Sequence, residues 1–169
     1  MKKVLQSMLL LSGMLCLQSA DAQVMINSVG TPYTQNFDGL SNDTSTAAQT
    51  LSLTGWQIFE KGSSAAVDQK YKGSYGTKNA GEVYSYGDTV STERALGSIA
   101  SGTNSPSFGV VFQNNTGGNI TALSISYVAE HWRSGDTSTT LVDSTIFEYS
   151  TTATGIDDTM AAWNSVASL

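Results

Sequence analysis

The sequence predicts an all-β protein, an antiparallel β-sandwich or jelly roll, on three observations. Apolar residues recur with a period of two, clusters of turn-forming residues separate the runs at roughly 10–15-residue spacing, and no window after residue 22 repeats its apolar side chains at the helical period of about 3.6. Ser and Thr supply 41 of the 147 residues from Gln23 onward, and their small or branched side chains suit sheet surfaces and turns better than helices. The absence of an internal repeat argues against a propeller or a solenoid.

Taken in order, strands are expected at 24–29, 56–60, 67–72, 82–86 and 95–100. The run Phe108-Gly-Val-Val-Phe112 marks another at 107–113. The clearest case is 120–132, where Leu123, Ile125, Tyr127 and Ala129 alternate with Ser124, Ser126, Val128 and Glu130. That alternation places one apolar row on a core and a mostly polar row outside. Asn114-Asn-Thr-Gly-Gly-Asn119 between the two is a strong turn signal and predicts a hairpin joining 107–113 to 120–132. A polar loop at 134–140 leads to a third consecutive strand at Thr145–Tyr149, and Trp163–Leu169 starts one more. The Ser/Thr/Asn-rich stretch from Gly39 to Leu53 reads as a long loop. Gln23–Asp38 before it is too short to form its own core, so residues 23–169 are read as one domain.

Residues 1–22 have the build of a secretory signal peptide. Lys2 and Lys3 precede an apolar stretch from Val4 to Leu17, and Ala20-Asp-Ala22 offers small residues before a cleavage point at Gln23. The apolar stretch is too short to cross a bilayer core of roughly 30 Å. A lipoprotein signal would use Cys16, but Leu15 is bulky where that processing needs a small residue. After cleavage the chain has six bases against thirteen acids, a net charge of −7, and no cysteine. Stability then rests on a hydrophobic core without disulfides, and cysteine nucleophiles, cysteine-ligated zinc and iron–sulfur clusters are excluded. The acidic balance has the wrong sign for gripping nucleic-acid phosphates.

Few residues carry chemistry. His131 is the one histidine, and no Gly-x-Ser-x-Gly elbow accompanies it, so a Ser–His–Asp arrangement is not expected. Glu130 and Glu148 lie on successive expected strands. A register in which paired residue numbers sum to about 274 sets them roughly 13 Å apart, beyond the spacing of a glycosidase pair. Glu93-Arg94 and Glu130-x-x-Arg133 stand out in a charge-poor chain. They admit two readings: an arginine and an acid framing a polar ligand with Tyr86 or Trp132 stacking on a sugar face, or a buried or half-buried Glu–Arg pair tying one sheet to another. Tyr84 and Tyr86 share one strand face and read either as a binding strip or as ordinary sheet stabilisers. The candidate ligand-binding set is therefore Tyr84, Tyr86, Arg94, Glu130, Trp132 and Arg133, with no catalytic residue. No cofactor is expected. Asp136, Asp143, Asp157 and Asp158 offer oxygen ligands suited to a structural Ca²⁺ without matching a calcium-loop motif. Asp88-Thr-Val90, Asp143-Ser-Thr145 and Asp158-Thr-Met160 are similar to a short O-glycosylation acceptor motif of some exported bacterial proteins.

A longer series runs through the chain: Tyr33-Thr-Gln-Asn-Phe-Asp-Gly-Leu40, Gly55-Trp56, Gly81-Glu-Val-Tyr-Ser-Tyr-Gly87, Glu93-Arg-Ala-Leu-Gly97, Ser107-Phe-Gly-Val110, Asn114-Asn-Thr-Gly117 and Tyr127-Val-Ala-Glu-His-Trp-Arg133. Over about residues 30–169 this resembles the N-terminal β-sandwich module of large exported bacterial surface proteins, which often carry a C-terminal sorting segment. Similar modules sit upstream of lamin-tail or phosphodiesterase-like domains. The resemblance implies a sandwich whose C-terminal strands lie beyond Leu169, an extracellular setting, and no catalytic residues. The expected function is a non-catalytic module of a secreted or cell-surface protein, binding glycan or serving adhesion, with extracellular polysaccharide or a cell-surface component as partner and no membrane span after signal cleavage. The alternative is the N-terminal accessory domain of a secreted nuclease, phosphodiesterase or glycosidase whose catalytic part lies beyond residue 169.

Overall fold

The computed structural model describes residues 22–45, 47–62, 69–135 and 144–167. The expected signal segment up to residue 21, the start of the strand expected at 67–72, and Asp136 and Asp143 lie outside the described residues. Those described are all-β, with no helix among them. The strands are β1 (Val24–Ile26), β2 (Gln49–Thr50), β3 (Trp56–Gly62), β4 (Lys70–Ser74), β5 (Glu82–Tyr86), β6 (Ala95–Ile99), β7 (Asn104–Val110), β8 (Phe112–Asn114), β9 (Glu148–Tyr149) and β10 (Asn164–Ser165).

Four sheets form. The largest has the order β2-β4-β5-β6, and β3 pairs antiparallel with β7 from Trp56↔Val110 to Gly62↔Asn104. Short pairs β1–β8 and β9–β10 complete the set. The antiparallel expectation holds only in part, because β4–β5 and β1–β8 are parallel. The parallel β4–β5 pair needs residues 75–81 to carry the chain back along the sheet, a return that a tyrosine, a tryptophan and an arginine brace.

The core lies where β3 meets the large sheet. Ile58 of β3, Tyr71 of β4, Val83 of β5 and Leu96 of β6 form one buried cluster with Leu40 and Leu51, and Phe37, Leu53, Trp56 and Phe108 pack against it. Polar side chains join the same elements: Gln69 Oε1 accepts from the Ile58 N–H at 3.0 Å, Glu60 Oε1 from the Val83 N–H at 3.1 Å, and Asn104 donates to the Gly81 carbonyl at 2.8 Å. These bonds tie side chains to backbone groups of neighbouring segments.

The stretch expected as a plain loop, 39–53, supplies two core residues and β2. Its entry is a turn closed by the Leu40 N–H on the Phe37 carbonyl at 2.9 Å. Phe37 adopts φ 62°, unusual for a bulky side chain, and its ring meets Trp56 edge-on at 4.7 Å. The indole N–H of Trp56 donates to Tyr33 Oη at 2.8 Å. The Tyr33–Leu40 series is thus an architectural corner.

The expected hairpin from 107–113 to 120–132 does not form. The chain shifts partners at Val111, whose N–H donates to the Gly55 carbonyl and whose carbonyl accepts from the Val24 N–H. Gly55, at φ 77°, lets the three backbones converge, since a Cβ there would stand 2.8 Å from a Val24 methyl. β8 then pairs with β1, and no residue from 115 to 135 enters a strand. The strand expected near 163 is β10, paired with β9.

Candidate functional site

Alternation along β5 sends its side chains to two faces, and this divides the candidate residues. Val83 and Ser85 point into the core side with Leu96. Glu82, Tyr84 and Tyr86 point the other way, beside Lys72 and Ser74 of β4 and Ala95 and Gly97 of β6.

On that second face the chain segment 130–133 lies over the tyrosines. The Trp132 ring stacks on Tyr86 with centroids 6.1 Å apart and planes 13° apart, and Tyr84 lies 5.6 Å from Tyr86. Trp132 is fixed from the solvent side, its indole N–H donating to Glu130 Oε2 at 2.7 Å. Its carbonyl crosses so close to Gly76 that a Cβ there would overlap it, and the Arg133 guanidinium donates to the Lys78 carbonyl. Tyr84 Oη donates to the Ala80 carbonyl at 3.0 Å. The 75–81 return is therefore held by Tyr84 from beneath and by Trp132 and Arg133 from above.

Tyr84 and Tyr86 are buried, so the strip they form presents no face to solvent. Burial pushes both phenols up to about 12, with the Glu82 and Glu60 charges adding for Tyr84 and the neighbouring Tyr84 for Tyr86; Arg133 opposes the rise at both. At the surface of this site stand Trp132, half-buried, and Glu130, exposed. Glu82 belongs to the same face and pairs with Lys72 at 2.7 Å. Its alternation with Tyr84 and Tyr86 was the signal that would have placed it there. Residues 76–80 give no comparable signal, because backbone carbonyls do their work.

Arg94 lies on the opposite face of the sheet from Trp132. Only 1% exposed, it donates from Nε to Ser85 Oγ at 2.8 Å and from Nη2 to the carbonyls of Ser74, at 3.3 Å, and of Ser85. Its backbone N–H donates to Asp38 Oδ1 at 3.2 Å. None of the guanidinium's acceptors is a carboxylate, and the buried Nη1 has no hydrogen-bond partner. Of the two readings of Glu93-Arg94, the buried or half-buried Glu–Arg pair gives way to a cradle of neutral acceptors, with Glu93 exposed beside it. Burial lowers the Arg94 pKa from its ordinary value, against the raising effects of Tyr75, Glu93 and Tyr71. Gly87 leaves room for the guanidinium, since a Cβ there would overlap Nη1.

The remaining candidates separate as well. Glu148 accepts from Ser165 Oγ at 3.0 Å across β9–β10, while Glu130 serves Trp132, so each carboxylate is tied to a different element. A stacked Tyr127–Phe147 pair, centroids 6.1 Å apart, links the two segments that sequence alternation places side by side. His131 is exposed. Asp158 is a turn organiser: Oδ2 accepts from the Thr154 N–H and hydroxyl at 3.1 Å, and Oδ1 from the N–H groups of Met160 and Ala161 at 3.0 and 3.2 Å. Those donors, Thr154 N–H foremost, hold its carboxyl below its ordinary value. Among the described residues no three acids or histidines converge in a group able to hold a metal ion. No helix among them is long and apolar enough to cross a membrane.

The arrangement defines a buttressed aromatic on one face of an all-β scaffold. No family model, curated protein or solved structure matches the chain.

Proposed function

We propose that residues 23–169 form a non-catalytic β-sandwich module of an exported, cell-surface or secreted protein, and that it binds glycan in the service of adhesion. The observation that carries this reading is Trp132, stacked on buried Tyr86 and hydrogen-bonded to exposed Glu130. An indole held rigidly at a surface beside a carboxylate suits a sugar ring, whose apolar face packs on an aromatic while its hydroxyls donate to an acid. Ordering entropy is already lost before ligand arrives. The sandwich assignment is supported by one core shared between β3 and the β4–β5–β6 sheet. The exported setting is supported by the signal-like first 22 residues and by the resemblance.

The full mature chain, applied to a broad polysaccharide and oligosaccharide panel, is expected to retain a subset of glycans. Trp132→Ala and Glu130→Gln are expected to weaken that retention while the chain stays folded. A folded wild-type chain that binds nothing on the panel would sink the glycan reading.

A further inference from the structure

Two turns far apart in sequence carry the same Asp-Thr-aliphatic order, each steadied by its aspartate in its own way. After β5, the Ser91 N–H donates to the Asp88 carbonyl at 3.2 Å, closing a turn with Thr89 and Val90 at its tip. Asp88 Oδ1 accepts from the Thr89 N–H at 2.6 Å and lies 3.4 Å from its hydroxyl. Ahead of β10, Thr159 and Met160 form another turn, and Asp158 Oδ1 accepts the Met160 N–H at 3.0 Å. In each turn an aspartate fixes the backbone, the threonine is exposed, and the aliphatic residue after it is almost wholly in solvent: Val90 is 90% and Met160 93% exposed. A single exposed aliphatic side chain needs no explanation. The same Asp-Thr-aliphatic order on two turns with the same presentation points to something that reads it.

We propose that Thr89 and Thr159 are acceptor hydroxyls for O-glycosylation by a transferase that reads aspartate, hydroxyl and aliphatic side chain together; the proposal rests on the exported setting given above. In the transfer, threonine Oγ1 attacks the anomeric carbon of a sugar carried on a diphosphate donor. The new C–O glycosidic bond forms as the bond from that carbon to the diphosphate breaks, the diphosphate leaves with the electron pair, and the hydroxyl proton passes to a base of the transferase. A neutral sugar suits these positions better than a phosphate. Phosphorylation would set a dianion beside Asp88 at one turn and beside Asp157 and Asp158 at the other, in a chain already at −6. The chain also holds its own contrast. Asp43-Thr44-Ser45 begins with the same dipeptide, but its third residue is polar, Thr44 is half-buried, and the Asp43 carbonyl accepts from the Gly73 N–H at 3.1 Å. The Asp43 carbonyl ties that triplet to β4, and Thr44 is less exposed than Thr89 or Thr159.

The test is peptide mapping by mass spectrometry on the full chain purified from the cells that make it. Expected are sugar-mass increments on the Thr89 and Thr159 peptides and none on the Thr44 peptide. Val90→Ser and Met160→Ser leave both hydroxyls and the aspartate contacts in place, and each is expected to abolish the increment at its own turn alone. A processed chain bare at both threonines, or carrying phosphate there, overturns the proposal and leaves the export reading standing. An increment that survives both aliphatic substitutions also overturns it. A chain recovered unmodified with residues 1–22 still attached overturns the export reading and this proposal with it.

Discussion

Residues 82–86 and 123–129 carry the same sequence pattern and meet opposite fates. In β5 the alternation serves two packed faces: Val83 is fully buried in the core and Tyr84 and Tyr86 are buried beneath Trp132. In the later stretch Leu123 is 61% and Val128 86% exposed, and none of it is strand. The difference lies in the neighbours. β5 sits between β4 and β6, each supplying ladder partners in register, whereas the segment from 115 to 135 pairs with no strand among the described residues. A period of two sets which side chains share a face. A strand also needs an edge whose unpaired N–H and C=O groups match its own.

Four experiments sharpen or break that contrast, and the largest effect belongs to the core. Ile58→Ala is expected to destabilise the chain by about 2–5 kcal/mol, since the side chain is fully buried and its removal leaves a cavity. Leu123→Ala, an equally large truncation, is expected to change stability by less than about 0.5 kcal/mol. Urea unfolding of both variants measures the gap, and equal losses would mean that 120–132 is packed in solution.

Next comes Arg94. Arg94→Ala strips charged donors from Ser85 Oγ and the Ser74 and Ser85 carbonyls, with an expected loss of about 3 kcal/mol. Arg94→Lys restores little of it, because an ammonium lacks the planar fork that reaches two strands at once. Recovery of full stability in the lysine variant would show that charge alone matters there.

The buried tyrosines make a pH prediction. Their folded pKa values, about 12, lie above the ordinary 10.0, so between these values the native state holds protons that the unfolded state has released. Their contribution is fully present below pH 10 and is lost as pH rises toward 12. Tyrosinate absorbance read alongside unfolding checks this. Titration of these phenols near 10 in the folded chain would contradict their burial.

The smallest effect is expected at Trp132. Trp132→Ala removes the stack on Tyr86 at a cost of about 1 kcal/mol and lowers the Tyr86 pKa toward its ordinary value as water reaches the ring. Calorimetry with the same absorbance titration measures both, and an unmoved pKa would show that the sheet, not Trp132, keeps water out.

Much of the scaffold was legible because it depends on local chemistry. Strands at β1, β3, β5 and β6 fall where apolar runs sit between Gly- and Ser-rich turns, and the all-β class follows from them. The partnership of Tyr86 with Trp132 was legible only as a shared candidacy, since nothing along the chain says that residue 132 returns to residue 86. Arg94 was singled out by its charge and misplaced by its neighbour: Glu93 suggested an ion pair, and the fold turned Glu93 to solvent and gave the guanidinium to Ser74 and Ser85. The long stretch 39–53 hid Leu40 and Leu51 because isolated leucines among polar residues carry no period.

By itself the sequence determined the class, the spacing of most strands, the two-faced character of β5 and the Asp-Thr-aliphatic triplets, all of which are properties of residues a few positions apart. Tertiary structure decided which edges were free, which strands ran parallel, which face of β5 met the core, and which triplets were presented to solvent. Those outcomes depend on contacts between residues distant along the chain, as where β8 pairs with β1 although the sequence predicts a hairpin with 120–132.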